Sequence, residues 1–154
     1  MRSKKAVKRI LPPDPIYNSG MVTRFINKLM ISGKKTVAQR HFYSAMEQIK
    51  DGPLAVFEKA IQNVSPKMEV RPRRVGGASY QVPVEVRGDR KEALAIKWII
   101  QAARARSNKE FHTFDKKLSQ ELQDAANNAG AAIKKKDDMQ KVAAANRAFA
   151  HFRW

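Results

Sequence analysis

The stretch MEVRPRRVGGASYQVPVEV, residues 68–86, decides how this chain is read. Tyr80, Val82, Val84 and Val86 alternate there with Gln81, Pro83 and Glu85. A period of two is the mark of a strand with one buried face. Met68 and Val70 begin a partner strand that continues into Arg71, Arg73 and Arg74, and the turn between them reads Gly76, Gly77, Ala78, Ser79. Pro72 and Pro83 cannot donate to a ladder, which argues against a central strand of a larger sheet. The stretch therefore predicts a protruding two-stranded antiparallel ribbon at about 68–88. Its base must pack on helices, because such a ribbon is barely stable alone.

Outward from the ribbon the spacing changes to that of helices. On the N-terminal side Leu54, Phe57, Ile61 and Val64 share one face of a third helix, opened by Pro53 and closed by Ser65 and Pro66. A second helix near 35–50 turns Ala38, Phe42, Ala45 and Ile49 inward and ends at Gly52. A first helix near 20–31 carries Val22, Phe25, Ile26 and Leu29, with Ser19 as its N-cap and Gly33 as its C-terminal stop. On the other side Asp89 to Glu92 reads as a capping box for a fourth helix rich in apolar residues, among them Leu94, Ile96, Trp98, Ile99, Ile100 and Ala103. A fifth helix is predicted near 114–128 with Leu118, Leu122 and Ala125 inward and Gly130 after it. A sixth is predicted near 135–150 with Met139, Val142 and Ala143. The expected fold is mainly α: one domain of about six helices over residues 20–154, with the ribbon between the third and fourth. Residues 1–19, where Arg2, Lys4, Lys5, Lys8 and Arg9 precede Pro12, Pro13 and Pro15, read as a basic N-terminal arm, flexible in the free protein.

The charge balance narrows the function. In 154 residues, 31 Lys and Arg face 14 Asp and Glu, a formal net charge of +17. A field of that size costs self-repulsion, which a polyanion relieves, and nucleic acid is the usual one. The excess is regional: residues 1–40 hold ten Lys and Arg against the single acid Asp14. The chain has no cysteine, which removes disulfides, thiol nucleophiles and thiolate-bound zinc. No run of about 18 apolar residues exists, so no membrane span or membrane partner is expected. His41, His112 and His151 have no ligand spacing, so no metal site is expected. Asp137 and Asp138 are read as charges stabilised at a helix start rather than as a catalytic pair. With no catalytic constellation and no cofactor-binding motif, the chain is not expected to be an enzyme.

The basic positions with functional meaning form four groups. They are the arm (Arg2, Lys4, Lys5, Lys8, Arg9), the turn after the first helix (Lys34, Lys35), the ribbon (Arg71, Arg73, Arg74 beside Gly76 and Gly77), and the fourth helix (Lys97, Arg104). Guanidinium forks suit phosphate bidentately, and glycines let a backbone approach it closely. Together these groups could make one footprint for a nucleic-acid backbone, recognised by shape more than by base. Tyr80, Phe152 and Trp154 could stack on bases, and packing explains each equally well. An architectural DNA-binding protein is the competing class. Its mark is an apolar wedge, and a tip reading Gly-Gly-Ala-Ser has none.

These residues also carry a resemblance. Arg73, Arg74, Val75, Gly76 and Gly77, followed by Tyr80 to Val86, resemble the ribbon of the bacterial ribosomal protein seven family of the small subunit. Gly33, Lys34 and Lys35 with Ala38, Ala102 to Arg104, and Ala148 to His151 are similar to the same family. The resemblance spans essentially the whole chain. It implies a six-helix domain with a β-ribbon. Such a protein binds 16S ribosomal RNA in the 3′ major domain and begins assembly of the subunit head. It would touch ribosomal protein eleven and lie near exit-site tRNA and the mRNA path, and in several bacteria it represses its own operon. It also implies a place in the ribosome, cytoplasmic or in an organelle's stroma or matrix. The short link at Asp51, Gly52 and Pro53, and the bulky Phe111, His112, Thr113 and Phe114, depart from the family's pattern.

Overall fold

The computed structural model describes residues 11–50 and 52–152. Six α-helices and a ribbon follow in chain order: α1 Gly20–Leu29, α2 Lys35–Glu47, α3 Pro53–Val64, β1 Met68–Val75, β2 Ala78–Glu85, α4 Gly88–Ala105, α5 Phe114–Ala126 and α6 Gly130–Ala145. A 3-10 segment, Arg147–Phe152, ends the described chain. The mainly helical class, with the ribbon between the third and fourth helices, is as the sequence predicts.

In α1 to α5 the faces read from the sequence are the buried ones. Val22, Phe25, Ile26 and Leu29 of α1 meet Ala38, Phe42 and Ala45 of α2 and Phe57, Ile61 and Val64 of α3 in one core, with Ile96, Ile99 and Ala103 of α4 and Leu118, Leu122 and Ala125 of α5. At its centre the rings of Phe25, Phe42 and Phe57 contact one another at 5.3–5.5 Å between centroids, in tilted and edge-on geometries that aromatic quadrupoles favour. Helix α5 is central and packs on α2, α3, α4 and α6. Asn63 of α3 donates its amide to the carbonyls of Ala125 and Ala126, satisfying the open end of α5.

Several local expectations are corrected. Ser19 stands at the N-cap of α1 but makes no side-chain cap; its carbonyl accepts from Thr23 instead. Helix α1 stops at Leu29, four residues before Gly33: Met30 turns to extended ψ (135°), and the Arg104 guanidinium takes the open Leu29 carbonyl at 3.1 Å. No capping box forms at α4, which starts at Gly88 with Asp89 already in its first turn. Glu92 pairs instead with Arg24 of α1, and Asp89 lies 3.9 Å from the same guanidinium. The sixth helix starts at Gly130 rather than near 135, so Asp137 and Asp138 lie mid-helix and not at a helix start. Ala132 and Ile133 are its buried residues alongside Ala143, whereas Val142 is 46% exposed.

The expected arm, 1–19, divides in two. Residues 1–10, with Arg2, Lys4, Lys5, Lys8 and Arg9, lie outside the described residues. Residues 12–19 are docked rather than loose. The Asp14 carboxylate is buried, accepting from the amides of Ile16 and Tyr17 at 3.2 and 3.1 Å and from the Tyr43 hydroxyl at 2.7 Å. Thr23 donates to the Pro12 carbonyl at 3.0 Å. A buried carboxylate satisfied by three donors costs little, and it ties this segment to α1 and α2.

Candidate nucleic-acid interface

The outer half of the ribbon is exposed: from Arg71 to Ser79 only Val75 is half-buried. Its register pairs Val75 with Ala78, Arg73 with Tyr80, Arg71 with Val82 and Val70 with Pro83. The turn is two residues long, Gly76 and Gly77, not the four read from the sequence. Both glycines have positive φ (56° and 87°), as the two-residue turn that matches strand twist requires. Ala78 and Ser79 belong to β2. The base is held on both faces: Val82 and Pro83, adjacent in sequence, are both buried, while Val84 is only half-buried. Pro83 and Met68 face Ala143 and Ala150 across a shared cavity, and Tyr80 packs on Phe149 and Phe152 with centroids 5.2 and 5.3 Å apart. For Tyr80 and Phe152 the packing role is therefore the observed one. Trp154 lies outside the described residues.

The three ribbon arginines are not equivalent. Arg71 is bonded to Glu69 at 2.5 Å, and Arg90 from α4 closes on the same carboxylate at 2.7 Å. Glu69 is 5% exposed in its side chain, so its charge requires those two guanidiniums. Arg73 and Arg74 are exposed and make no ion pair with any described residue. They stand beside the Gly76–Gly77 tip, one on each face of the ribbon, because successive strand residues point to opposite sides.

A second cluster forms where α1 hands over to α2. Ser32 and Gly33 both take positive φ, 52° and 73°, and the reversal brings Lys34 to the N-cap of α2 with Lys35 as its first residue. Cations at a helix N-terminus oppose the helix dipole, so their placement suits an external anion better than it suits the helix. Lys34 and Arg104, 70 residues apart in sequence, line one cavity of about 280 Å³ together with Leu29, Ile31, Val37 and Phe114. Arg104 is thus both a structural donor to α1 and a wall of this site. Lys97 is exposed on α4, two turns and about 10 Å before Arg104, and does not line the cavity.

The segment between α4 and α5 is anchored by charge. Arg106 donates to Glu121 at 2.8 Å and also pairs with Asp124. Burial works against its charge, but the hydrogen bonds to Asp124 and Glu121 prevail and its pKa is raised. Lys117 donates to the Arg106 carbonyl at 2.6 Å, and Phe111 lies 5.6 Å beneath the Arg106 guanidinium. Phe114 meets the ring of His41, whose Nδ1 contacts Asp115. In the bulky segment Phe111 and Phe114 are half-buried against these groups, whereas His112 and Thr113 are exposed.

Sequence reasoning missed Arg24 and Arg90 as structural cations. Their acidic partners are 68 and 21 residues away, so no local pattern signals them. Among the described residues no three His, Asp or Glu side chains group as a metal site, and no helix is long and apolar enough to cross a membrane.

Comparison with known proteins follows the same outline. A family model described as ribosomal protein S7p/S5e matches residues 1–147. The chain is 55% identical to the small ribosomal subunit protein uS7 of Natranaerobius thermophilus, over 99% of both chains. It is 51% identical to that of Thermotoga neapolitana over 100% of both, and 52% identical to that of Lacticaseibacillus casei over 99% of both.

Proposed function

The chain belongs to the ribosomal protein S7p/S5e family, and from that membership we propose how it works within the small ribosomal subunit. It is a structural constituent of that subunit, not an enzyme, and its partners are ribosomal RNA and the subunit itself. It is a primary binder of 16S ribosomal RNA and organises the 3′ major domain that forms the head. Its contact residues are Arg73, Arg74, Gly76 and Gly77 on the ribbon, Lys34 and Lys35 at the start of α2, Lys97 and Arg104 on α4, and the cations between Arg2 and Arg9. Arg71, already spent on Glu69, adds to the local field more than it adds a free fork. Exit-site tRNA and the mRNA path lie near the protein, and ribosomal protein eleven is a neighbour.

The observation that carries this reading is the exposed pair Arg73 and Arg74 beside a glycine tip, on a ribbon whose base alone is held by the helices. Such an arm contributes nothing visible to the core and presents two forks to a backbone. Filter binding to a 16S 3′ major-domain fragment, set against duplex DNA of equal length in matched salt, tests it. The RNA fragment should bind more tightly, and the Arg73→Ala, Arg74→Ala double variant should lose affinity for it. Equal binding to DNA would point instead to an architectural DNA-binding protein.

A further inference from the structure

We infer that the cavity between the α1–α2 turn and α5 receives the base of one unpaired RNA nucleotide, with the strand's phosphates on Lys34 and Arg104. The inference rests on the rRNA-binding reading above and adds to it a specific pocket. Three observations support it. First, the cavity, about 280 Å³, is apolar inside and cationic at its rim: Ile31, Val37 and Phe114 form walls, and Lys34 and Arg104 flank them. No acidic residue lines it among the described residues, and the nearby Asp115 is engaged with His41. Second, Ile31 and Val37 are 62% and 42% exposed, two of five large apolar side chains so exposed among the described residues, and both stand at this one place. Scattered exposed aliphatics are ordinary; a pair over a cavity invites a cover. Third, the cover must carry negative charge on its outer side and a flat apolar body on its inner one. An unpaired nucleotide has both, and unpaired bases in RNA–protein complexes are held against aromatic rings such as Phe114 and His41. An apolar protein side chain would satisfy the walls but leave without a counter-ion the charges of Lys34 and of Arg104, whose guanidinium donates to the neutral Leu29 carbonyl, in a chain of net charge +17.

The geometry separates base insertion from phosphate contact. Val37→Trp fills the mouth of the cavity without changing charge, and Ile31→Gln removes apolar cover from a position exposed enough to leave the fold intact. The full chain and both variants are bound to the 16S 3′ major-domain fragment carrying 2-aminopurine at one unpaired position at a time. Each variant should bind about tenfold more weakly, the loss expected for one base contact. The slope of log affinity against log salt should stay as in wild type, since no phosphate contact is removed. One 2-aminopurine position should change its emission with wild type and not with Val37→Trp. If wild type binds the fragment, both variants match it and no position responds, the pocket takes no base while the rRNA-binding reading stands. If the variants keep RNA affinity but fail to be retained in reconstituted subunits, the occupant is a protein and the inference is overturned. If wild type itself does not prefer the fragment to duplex DNA, the reading beneath the inference fails with it.

Discussion

At the residue scale, Asp14 shows how one side chain fixes a boundary. It is the only acid in the first 40 residues, and it lies in the core's margin with three donors directed at it. Tyr43 is the donor from the helical body. Burial and its hydrogen bond to Asp14 push the Tyr43 phenol up to about 12 from 10. A phenol whose folded pKa is raised binds its proton more tightly when folded. Its contribution to stability is therefore whole below pH 10 and is lost as pH rises through about 12. Tyr43→Phe should lower unfolding free energy by about 1.5–3 kcal/mol at pH 7, as for a hydrogen bond to a charged acceptor. Urea midpoints measured from pH 8 to 12 should show the gap between wild type and variant narrowing above pH 10. A gap that stays constant to pH 12 would mean the phenol does not hold this segment in place.

At the element scale, the ribbon divides its labour along its length. Its base is gripped by α6 and the 3-10 segment, and by the Glu69 pairs to Arg71 and Arg90. Towards its tip stand the exposed Arg73 and Arg74, the Val75–Ala78 pair and two glycines in left-handed conformation. Val82→Asp would place an uncompensated charge at a site with no exposure, and should cost about 3–5 kcal/mol. Val84→Asp, at a half-buried site, should cost less than Val82→Asp. The Arg73→Ala, Arg74→Ala variant should move stability by under about 0.5 kcal/mol, as exposed substitutions generally do. Thermal melts followed by circular dichroism rank the three. A double arginine variant that melts like Val82→Asp would show that the tip is part of the fold.

At the scale of the whole molecule, the +17 charge is divided between two uses. Arg24, Arg71, Arg90 and Arg106 are tied into the protein by carboxylates, and Arg104 serves both uses, holding the Leu29 carbonyl and lining the cavity. The lysines at 34, 35 and 97 and the arginines at 73 and 74 are exposed, and the five cations before Leu11 add to them in sequence. Each phosphate neutralised contributes about 0.7–0.9 to the slope of log affinity against log salt. A chain lacking residues 1–10 should therefore bind the 16S fragment with a slope shallower by as much as ~4, if every one of those cations meets a phosphate. Filter binding from low to physiological salt measures it. Identical slopes for the two chains would remove the N-terminal cations from the interface.

The helical class, the ribbon and its place, and the buried faces of α1 to α5 were legible in the amino-acid order alone, whereas the face of α6 was not. Those follow from periodicity, and periodicity is a local property: Phe25, Phe42, Phe57, Ile99 and Leu122 are core residues because their own neighbours are spaced at a helical repeat. The overall basic character was legible for the same reason, being a sum over residues. Helix ends were less legible. The open carbonyl at the end of α1 is met by Arg104, 75 residues away, and the start of α6 at Gly130, φ 90°, lies against Glu121, where an added Cβ would come within 3.1 Å of the carboxylate. Which cations are free is a matter of three-dimensional packing. Arg71 and Arg73 look alike in sequence, yet one is held by a buried glutamate shared with Arg90, and the other faces solvent. Lys34 and Arg104 meet in one cavity across 70 residues of chain. Electrostatic pairing and concavity depend on distances between segments far apart in sequence, and no local spacing encodes those distances.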